Sequence, residues 1–341
     1  MPRQFHLFTP DAQYTDDAVV ERETAGPDFR WTIMRERVPE GLAGADLESA
    51  DGVVVWHEMP IGQAFVDRLK SCRIIVRAGV GFDHIDLVVA GRAGIPVCNT
   101  PDYGTSEVAD HAIALMLAFT RGIVSYHEAF RRDIRAGFDY RAAPLVRRIR
   151  GRTFGIVGIG RIGTAAALRA RASGMRIVAY DPYVPRGYEI ALGIERVESL
   201  EALLGQSDVV SLHCPLTEET RNLIDARALA MMKPDAILVN TARGAIIDIP
   251  ALLEALRAGR LAAAGLDVMP VEPMAPDDPL AQAFAAAQGG DLAHRLLLTP
   301  HAAWSSPESA HDARRLATET AVLYLQDGAL RNCVNTRWLE G

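Results

Sequence analysis

Short runs of β-branched and aliphatic residues alternate with longer amphipathic stretches along most of the chain. In the first hundred residues these runs predict strands at QFHLF, WTIMRERV, GVVVW, RIIVRAG and PVCN. A second set begins at Thr153 and comprises TFGIVG, RIVAYD, DVVSLH, AILVNTA, AAGLDV and LLLTPH. Strands that alternate with helices are typical of parallel α/β sheets. The pattern therefore predicts an α/β protein with two doubly wound parallel sheets.

The helix and tail patterns set the expected domain boundaries. A long helix is predicted at roughly Ser106 to Arg121, because TSEVADHAIALML opens with cap-forming residues and has an acid in its first turn. The tail from Pro307 to Gly341 has the pattern of one amphipathic helix with an extended end, and we expect it to return to the first domain. The expected domains are residues 1–103 plus 305–341 and residues 104–304.

Length and charge narrow the class of protein. A chain of 341 residues suits two domains, and 49% hydrophobic residues are enough to fill two cores. The net charge of −7 offers no general attraction to nucleic acid or anionic lipid. The arginine-rich segment from Arg131 to Arg152 lacks regular aromatic interleaving, so we interpret it as a solvated or subunit-facing surface. We expect neither a nucleic-acid partner nor a membrane.

Cysteine usage and apolar run length indicate the compartment. The four cysteines, Cys72, Cys98, Cys214 and Cys333, are scattered and form no CxxC pair, which favours free thiols in a reducing compartment. The longest apolar run, Ala112 to Phe119, is far shorter than the roughly 20 residues that span a bilayer. The first residues carry no apolar core of signal-peptide length. We expect a cytoplasmic protein.

A glycine-rich turn predicts a dinucleotide site. Strand TFGIV leads into GIGRIG, in which Gly158 permits a tight turn, Gly160 admits a pyrophosphate and Gly163 allows close helix packing. A helix-forming run follows, and its N-terminus offers unpaired N–H groups to phosphate. Asp181 ends the next strand, 18 residues after Gly163, and can accept hydrogen bonds from ribose hydroxyls while repelling a 2′-phosphate. The arrangement favours NAD over NADP.

Polar residues end several strands of the second set. In open parallel sheets, ligands bind beyond the carboxyl ends of the strands. Taken singly, each of these residues would be read as a cap or turn residue. Together they indicate one site along one sheet edge, formed by Asp181, His213, Arg243, Asp267 and His301.

Three side chains in and around this set suggest a reaction. Arg243 could hold a carboxylate through a bidentate fork, and His301 suits proton exchange with a hydroxyl near neutral pH. Glu272, in the loop MPVEPMAP, could hydrogen-bond the imidazole and stabilise its protonated form. Alternatively, Arg243 forms a surface salt bridge, His301 is a turn residue and Glu272 is a charge on a loop. The three residues are separated in the sequence, so the sequence alone leaves this choice open.

Seven motifs carry a family resemblance over nearly the whole chain. They are RAGVGFDHID, NTPDYGTSEVADHAIALML, GIVGIGRIG, VVSLHCPLTEETRNLI, LVNTARGAIID, LDVMPVEP and TPHAAW. The chain resembles the D-isomer-specific 2-hydroxyacid dehydrogenases, and within them the C-terminal-binding-protein-like branch. The resemblance implies two Rossmann-like domains, a flavodoxin-like substrate-binding domain and an NAD-binding domain, with the active site in the cleft between them. It also implies a homodimer through the nucleotide-binding domain.

The resemblance assigns roles to individual residues. It places the catalytic set on Arg243, Glu272 and His301. The substrate carboxylate would meet the backbone of Gly79 and Val80 together with Arg243, and Trp304 would line the substrate pocket. The remaining assignments are cofactor contacts: Gly158, Gly160, Arg161, Ile162, Gly163 and Asp181 at the pyrophosphate and ribose, His213 and Cys214 at the adenine pocket, Thr241 and Asp267 near the nicotinamide, and Thr105.

The implied activity is hydride transfer between nicotinamide and C2 of a small D-2-hydroxy acid or 2-oxo acid, with His301 as general acid and base. The alternative is an NAD(H)-sensing, corepressor-like binding protein with weak or no turnover. Arg77, beside the substrate loop, leaves phosphorylated acids open as substrates.

The carboxylates of Asp83 and Asp86 are interpreted as support structure, so no metal site is expected. The stretch Met274 to Arg295 is longer than in compact members and is expected to reshape the substrate pocket.

Overall fold

The computed structural model describes residues 4–287 and 292–339, and the chain divides into two units. Unit 1 comprises Met1–Gly104 and Ser305–Gly341, and unit 2 comprises Thr105–Trp304. Each unit is built around its own parallel sheet. The predicted α/β fold with two parallel sheets is confirmed.

Unit 1 contains a five-stranded parallel sheet with the order β2-β1-β3-β4-β5. This is the flavodoxin-like doubly wound order. The strands are β1 (Phe5–Thr9), β2 (Phe29–Ile33), β3 (Gly52–Val55), β4 (Ile74–Arg77) and β5 (Val97–Asn99), and the helices that connect them are α1 (Val19–Ala25), α2 (Gln63–Val66) and α3 (Leu87–Arg92).

Unit 2 opens with two helices, α4 (Thr105–Thr120) and α5 (Ile123–Arg132). Its strands are β6 (Thr153–Val157), β7 (Arg176–Tyr180), β8 (Glu195–Arg196), β9 (Val209–Leu212), β10 (Ile237–Asn240), β11 (Ala263–Leu266) and β12 (Leu296–Leu298). The other helices are α6 (Arg161–Ala172), α7 (Tyr188–Leu192), α8 (Leu200–Gln206), α9 (Ala226–Met231), α10 (Ile249–Arg257) and α11 (Pro279–Ala286).

The order of these seven parallel strands is β12-β11-β10-β9-β6-β7-β8. The chain therefore winds outward from β6 in both directions, as it does in Rossmann sheets. The reversal of winding leaves a crevice at the carboxyl ends of β6 and β9, which is where such sheets bind dinucleotides.

The tail packs on unit 1. Helix α12 (Pro307–Asp327) begins with a capping box between Ser306 and Ser309 and ends at Gly328, whose φ is +71°. It contacts α1, β3 and β4. Beyond the helix, Cys333 pairs with Cys98 of β5 in an isolated antiparallel bridge.

Several predicted elements differ from the structure at their ends. Helix α4 lies within one residue of the prediction. The strand predicted at WTIMRERV was wrong in extent, because β2 covers Phe29–Ile33 and the charged residues after it leave the sheet. Arg35 makes only an isolated antiparallel bridge with Asp11. The two-residue edge strand β8 was missed because both its residues are charged.

The long segment from Met274 to Arg295 contains helix α11, which begins after Asp278 caps its first turn. Residues 288–291 of this segment lie outside the described residues. Within the described ranges, no single helix has the length and apolarity to cross a membrane, although α4 and α5, bent by 55°, meet that criterion together on length and composition.

A buried ion pair joins the tail to the start of the chain. The guanidinium of Arg314, on α12, donates to both carboxylate oxygens of Glu21, on α1, at 2.8 and 2.6 Å. It also donates to both oxygens of Asp16 at 2.8 and 2.7 Å, and it lies 3.8 Å from the ring centroid of Tyr14. Arg314 and Glu21 are only 9% and 3% exposed, so this pair is shielded from solvent.

We predict that Arg314→Met will lower the free energy of unfolding by roughly 3–5 kcal/mol, because it leaves the Glu21 carboxylate buried without its cation. Arg315→Met is the matched control, since Arg315 is the next residue on the helix and its partners Asp312 and Glu319 are partly exposed, at 44% and 36%. The control should change stability by at most about 1 kcal/mol. Urea unfolding followed by circular dichroism measures both, and equal effects would contradict the prediction.

Candidate active site

The turn between β6 and α6 depends on two glycines. Gly158 has a φ of +90°, and a Cβ there would lie 2.8 Å from the backbone nitrogen of Cys214. A Cβ on Gly163 would lie 2.0 Å from the carbonyl oxygen of Gly158. Both positions therefore require glycine, and the missing side chains let α6 and the end of β9 pack directly against the turn.

The third glycine of the motif faces open space. A Cβ on Gly160 would meet no atom within 4 Å, and its φ of −68° is accessible to other residues. Gly160 caps α6 without a side-chain hydrogen bond, and Arg161 and Ile162 occupy the first helical positions. Unsatisfied N–H groups at a helix N-terminus bind anions. The space beside Gly160 is therefore suited to a pyrophosphate.

Asp181 ties the glycine turn to the end of β7. One carboxylate oxygen accepts from the backbone N–H of Ile159 at 3.0 Å. The other accepts from the N–H groups of Tyr183 at 3.0 Å and Val184 at 3.3 Å. The carboxylate thus lies directly beside the turn, where a ribose attached to a bound pyrophosphate would follow.

His213 and Cys214 form a wall that carries no charge at neutral pH. Nε2 of His213 and the hydroxyl of Ser211 share a hydrogen bond of 2.8 Å. Burial lowers the pKa of His213 to about 4 and raises the pKa of the Cys214 thiol to about 11. A neutral surface beside Gly158 is compatible with an adenine ring.

In unit 2, within residues 105–287 and 292–304, two buried hydroxyls lack a hydrogen-bond partner: those of Thr241, just after β10, and Thr105, at the start of α4. An unpaired buried polar group costs about 1–3 kcal/mol, so such groups indicate a ligand. These hydroxyls, the open side of Gly160 and the uncapped α6 together fit a dinucleotide.

The turn that carries Arg243 is fixed by Asn240 at the end of β10. Asn240 is fully buried. Its amide donates to the carbonyl of Arg243 at 2.8 Å, and its side-chain oxygen accepts from the N–H of Ala242 at 2.9 Å. The Arg243 guanidinium donates to the Ala242 carbonyl at 2.7 Å. We did not predict Asn240, although an asparagine that ends a buried strand is a recognisable turn signal.

Gly244 brings the Arg243 turn against the loop that follows β11. A Cβ at Gly244 would lie 2.0 Å from the carbonyl carbon of Met269 and 2.3 Å from the nitrogen of Pro270. The two backbones therefore touch, and no other residue type fits without displacing one of them. This contact fixes the position of Arg243 relative to the loop that carries Glu272.

Glu272 and His301 form a hydrogen-bonded pair. Nδ1 of His301 lies 2.6 Å from Oε2 of Glu272, and Oε1 accepts from the N–H of Met269 at 2.7 Å. Burial alone would raise the pKa of Glu272. This effect is outweighed by the hydrogen bond and charge of His301, the hydrogen bond from Met269 and the charge of Arg243. The pKa of Glu272 is therefore below its ordinary value, and it remains a carboxylate at neutral pH.

His301 has a left-handed backbone, with a φ of +52°. Such a conformation costs a non-glycine residue about 1–3 kcal/mol and occurs at functional sites. Asp267 holds it: its carbonyl accepts from the His301 N–H at 2.7 Å, and its carboxylate accepts from the N–H groups of Ala302 and Ala303 at 3.0 Å. Asp267 is fully buried, so these hydrogen bonds are shielded from solvent.

Sequence reasoning also missed two supports behind this turn. The Thr299 hydroxyl donates to Asp267 at 2.5 Å. Nε2 of His111, on α4, lies 3.0 Å from that hydroxyl and 3.7 Å from the Asp267 carboxylate. The sequence signal that could have identified His111 was a histidine within the otherwise apolar face of a predicted helix.

Unit 1 carries the glycine loop that the family resemblance assigned to substrate. Gly79 has a φ of +151°, and a Cβ there would overlap the Arg77 guanidinium at 1.3 Å. Asn99 donates to the Val80 carbonyl at 2.7 Å, and the Thr100 N–H donates to the Gly79 carbonyl at 3.1 Å. The Gly79 N–H donates to the Arg77 carbonyl at 2.8 Å.

Trp304 is the last of the predicted site residues to be located. Trp304 is partly buried and follows His301 by three residues, at the end of unit 2. Within the ranges that the structure describes, no group of three or more His, Cys, Asp or Glu side chains is arranged to hold a metal ion.

Comparisons with known proteins place these features in a family. A family model described as D-isomer specific 2-hydroxyacid dehydrogenase, NAD binding domain, matches residues 113–303. The glyoxylate reductase of Korarchaeum cryptofilum is 39% identical over 298 residues, covering 85% of this chain and 84% of that protein.

Two solved structures share the whole fold. The NADPH-dependent glyoxylate/hydroxypyruvate reductase of Sinorhizobium meliloti, in complex with NADP and malonate, is 28% identical with a TM-score of 0.83 and 97% of each chain covered. The D-lactate dehydrogenase of Aquifex aeolicus, complexed with NAD and lactic acid, is 28% identical with a TM-score of 0.80, covering 94% of this chain and 95% of that one. The chain therefore belongs to the D-isomer-specific 2-hydroxyacid dehydrogenase family and is an NAD(P)-dependent oxidoreductase.

Proposed function

We propose that this enzyme interconverts a small D-2-hydroxy acid and its 2-oxo acid, with His301 as the general acid and base. The observation that carries the proposal is the 2.6 Å hydrogen bond between His301 and Glu272, on a loop packed directly against the Arg243 turn. A base oriented by a carboxylate and lying near a fixed guanidinium is what proton transfer beside a carboxylate substrate requires.

His301 exchanges its proton with substrate through Nε2, because Nδ1 is bound to Glu272. In reduction, Nε2 gives a proton to the C2 oxygen as that oxygen gains charge. In oxidation, Nε2 takes the hydroxyl proton. The Glu272 carboxylate, kept ionised by its lowered pKa, stabilises the imidazolium and fixes the ring orientation.

Arg243 binds the substrate and polarises its C2 oxygen. Its bond to the Ala242 carbonyl and the Asn240 clamp orient the guanidinium before substrate arrives. A preoriented cation stabilises charge that develops on oxygen without reorganisation. A bound nicotinamide supplies the hydride for reduction or accepts it in oxidation.

The proposed cofactor contacts are the glycine turn and the residues around it. The N–H groups of Arg161, Ile162 and Gly163 would bind pyrophosphate, and the Thr241 and Thr105 hydroxyls would gain a partner. We propose NAD rather than NADP, because the Asp181 carboxylate beside the turn would repel a 2′-phosphate. His213 and Cys214 would face adenine, and Asp267 would act chiefly by holding the His301 turn.

We propose that the Gly79–Val80 loop of unit 1 contacts a substrate carboxylate. Because the Gly79 N–H already donates to Arg77, the Val80 amide is the better donor of the two. The buried Arg77 guanidinium covers Gly79 and donates to the Ala78 carbonyl at 2.6 Å, which argues against its use for a substrate phosphate. Trp304 would bound the pocket near His301.

We propose that the chain belongs to the C-terminal-binding-protein-like branch of the family, because it carries the TPHAAW motif with Trp304. The corepressor-like alternative is not favoured, since the set of Arg243, Glu272 and His301 is intact and similar proteins are named reductases and dehydrogenases. We propose a cytoplasmic location because all four cysteines are free thiols; export in a cell-fractionation experiment would contradict it.

We predict NADH oxidation with at least one short 2-oxo acid in a panel that includes glyoxylate, pyruvate, hydroxypyruvate and phenylpyruvate. NADPH in place of NADH should lower kcat/KM. His301→Asn should reduce kcat by about 10²- to 10⁴-fold, the usual contribution of a general acid, while NADH fluorescence titration gives an unchanged Kd. The absence of turnover across the panel with either cofactor would favour the binding-protein alternative.

Glu272→Gln separates orientation from charge in the same assay. Glutamine keeps the shape but loses the charge, so kcat/KM should fall by about 10- to 100-fold, the value of a hydrogen bond to a charged group. An unchanged kcat/KM would remove Glu272 from the proposed role.

The two glycines of the turn give opposite predictions. Gly160→Ala should weaken NADH binding at least tenfold and leave the unfolding midpoint unchanged, because its Cβ would enter open space meant for phosphate. Gly163→Ala should lower the unfolding midpoint, because its Cβ would lie 2.0 Å from the Gly158 carbonyl oxygen. NADH titration and thermal unfolding measure both, and normal NADH affinity in Gly160→Ala would contradict the pyrophosphate site.

We propose a homodimer through the arm patch of unit 2, which we define as the five large apolar side chains Ile123, Phe130, Ile134, Phe138 and Tyr140. Ile134, Phe138 and Tyr140 are 75%, 84% and 84% exposed, and Phe130 and Phe138 meet edge to face at 6.0 Å. Clustered exposed apolar groups mark association surfaces. A second copy of the same arm is the occupant that the family resemblance implies.

We predict that the wild type has twice its sequence mass in light scattering and that Phe138→Asp is monomeric, because the charge would be buried against the partner. Ile190→Asp, on α7, is the matched control, since Ile190 is 78% exposed but outside the arm patch. A monomeric wild type at micromolar concentration, or a control that also dissociates, would overturn the proposed interface.

A further inference from the structure

Two cysteines from distant parts of unit 1 lie opposite each other. Cys98 is in β5 and Cys333 is in the tail, and they pair in an antiparallel bridge. The flanking hydrogen bonds run from the Val334 N–H to the Val97 carbonyl at 2.8 Å and from the Asn99 N–H to the Asn332 carbonyl at 3.2 Å. The cysteines themselves exchange no backbone bond there, so they occupy a non-hydrogen-bonded pair.

This type of pair brings two side chains close together. Cα atoms in a non-hydrogen-bonded antiparallel pair are about 4.5 Å apart. A disulfide requires Cα atoms about 4.4–6.8 Å apart. Cys333 is also one of the groups that raise the pKa of the Cys98 thiol, as expected for two neighbouring sulfurs. The backbone therefore already meets the geometric requirement for a disulfide.

Asn335 holds the two segments in this register. It is fully buried, its side-chain oxygen accepts from the Val97 N–H at 2.8 Å, and its amide donates to the Ile95 carbonyl at 3.0 Å. The Cys333 thiol donates to the same Asn335 oxygen at 3.3 Å. A buried clamp of this kind prevents the tail from slipping by one residue, which would separate the sulfurs.

The environments of the two thiols differ. Cys98 is fully buried, whereas Cys333 is partly exposed. Burial, together with the neighbouring Cys333, raises the pKa of the Cys98 thiol to about 12. An oxidant in solution therefore reaches Cys333 first, and Cys98 acts second from the interior.

We propose that Cys98 and Cys333 form a redox-responsive thiol pair that closes to a reversible disulfide by exchange with a small-molecule disulfide. The Cys333 thiolate attacks one sulfur of the small disulfide, whose S–S bond breaks, and one thiol leaves with the proton from Cys333. The Cys98 sulfur then attacks Cys333, and the second small thiol leaves with the proton from Cys98. Two cysteines are oxidised, and one disulfide is reduced to two thiols.

Closure would fix the tail to β5 at a point beside the proposed substrate loop. Asn99, next to Cys98, donates to the Val80 carbonyl through its side chain and to the Asn332 carbonyl through its backbone. The cross-link would therefore restrain the tail and the β5 end together. It would also remove conformational freedom from the unfolded chain, because its two ends are distant in sequence.

The test is incubation of the reduced, full-length protein with oxidised glutathione. We expect titratable thiols to fall from four to two, a non-reducing peptide map to contain one peptide pair joining Cys98 to Cys333, and dithiothreitol to reverse both. The thermal unfolding midpoint should rise by several degrees in the oxidised protein. These readouts do not involve turnover, so failure of the proposed function would leave them unaffected.

Two variants make the result specific. Cys72→Ser with Cys214→Ser should still lose both remaining thiols, whereas Cys333→Ser should form no internal disulfide and show no thermal shift. A persistent glutathione adduct on Cys333 with Cys98 still reduced would overturn the proposal, as would an unchanged thiol count in the wild type. Because the wild-type peptide map is decisive alone, a variant that misfolds would not prevent the test.

Discussion

The parallel pairing of the strands in unit 2 is the constraint on which the candidate site depends. Strands β6, β7, β9, β10, β11 and β12 all run in one direction, so all their carboxyl ends lie at one edge of the sheet. After β6 the chain leaves that edge through the glycine turn, and after the other five strands it leaves through a loop that carries a polar residue: Asp181 after β7, His213 after β9, Arg243 after β10, Asp267 after β11 and His301 after β12. Strand direction therefore brings residues that are up to 120 positions apart in the sequence, such as Asp181 and His301, to the same edge of the sheet.

Strand direction alone would leave these loops too far apart, and glycines close the remaining distance. Gly158 and Gly244 each stand where a Cβ would overlap the backbone of another loop, at Cys214 and Met269. Loops in direct backbone contact cannot move independently, so the guanidinium and the carboxylate are positioned by main chain rather than by flexible side chains. The hydrogen bonds of Asn240 and Asp267 complete the same arrangement with buried polar groups that have no freedom to repack.

The amino-acid sequence contained the strands, the glycine turn and the strand-end residues, because each has a local signal. Alternation of apolar runs predicted both sheets, and capping residues predicted α4 to within one residue. The supports for the site carried no such signal. Asn240, Thr299 and His111 act through partners that only the folded chain brings near, and an isolated asparagine or histidine fits many roles. The early end of β2 has a similar origin, since its last residue, Ile33, pairs with Thr9, where the neighbouring strand β1 ends.

The charges in the site explain why an energetically unfavourable backbone is retained at His301. Its left-handed conformation aims the imidazole at Glu272, and the stabilising contact exists only while Glu272 is ionised. Burial opposes that ionisation, whereas His301 and Arg243 favour it, and the net effect is a pKa below the ordinary value. A carboxyl with a lowered pKa contributes stability above its unfolded pKa and loses that contribution as the pH falls through its folded pKa. The proposed catalytic arrangement and the local fold therefore depend on the same ionised group, and acid should weaken both together.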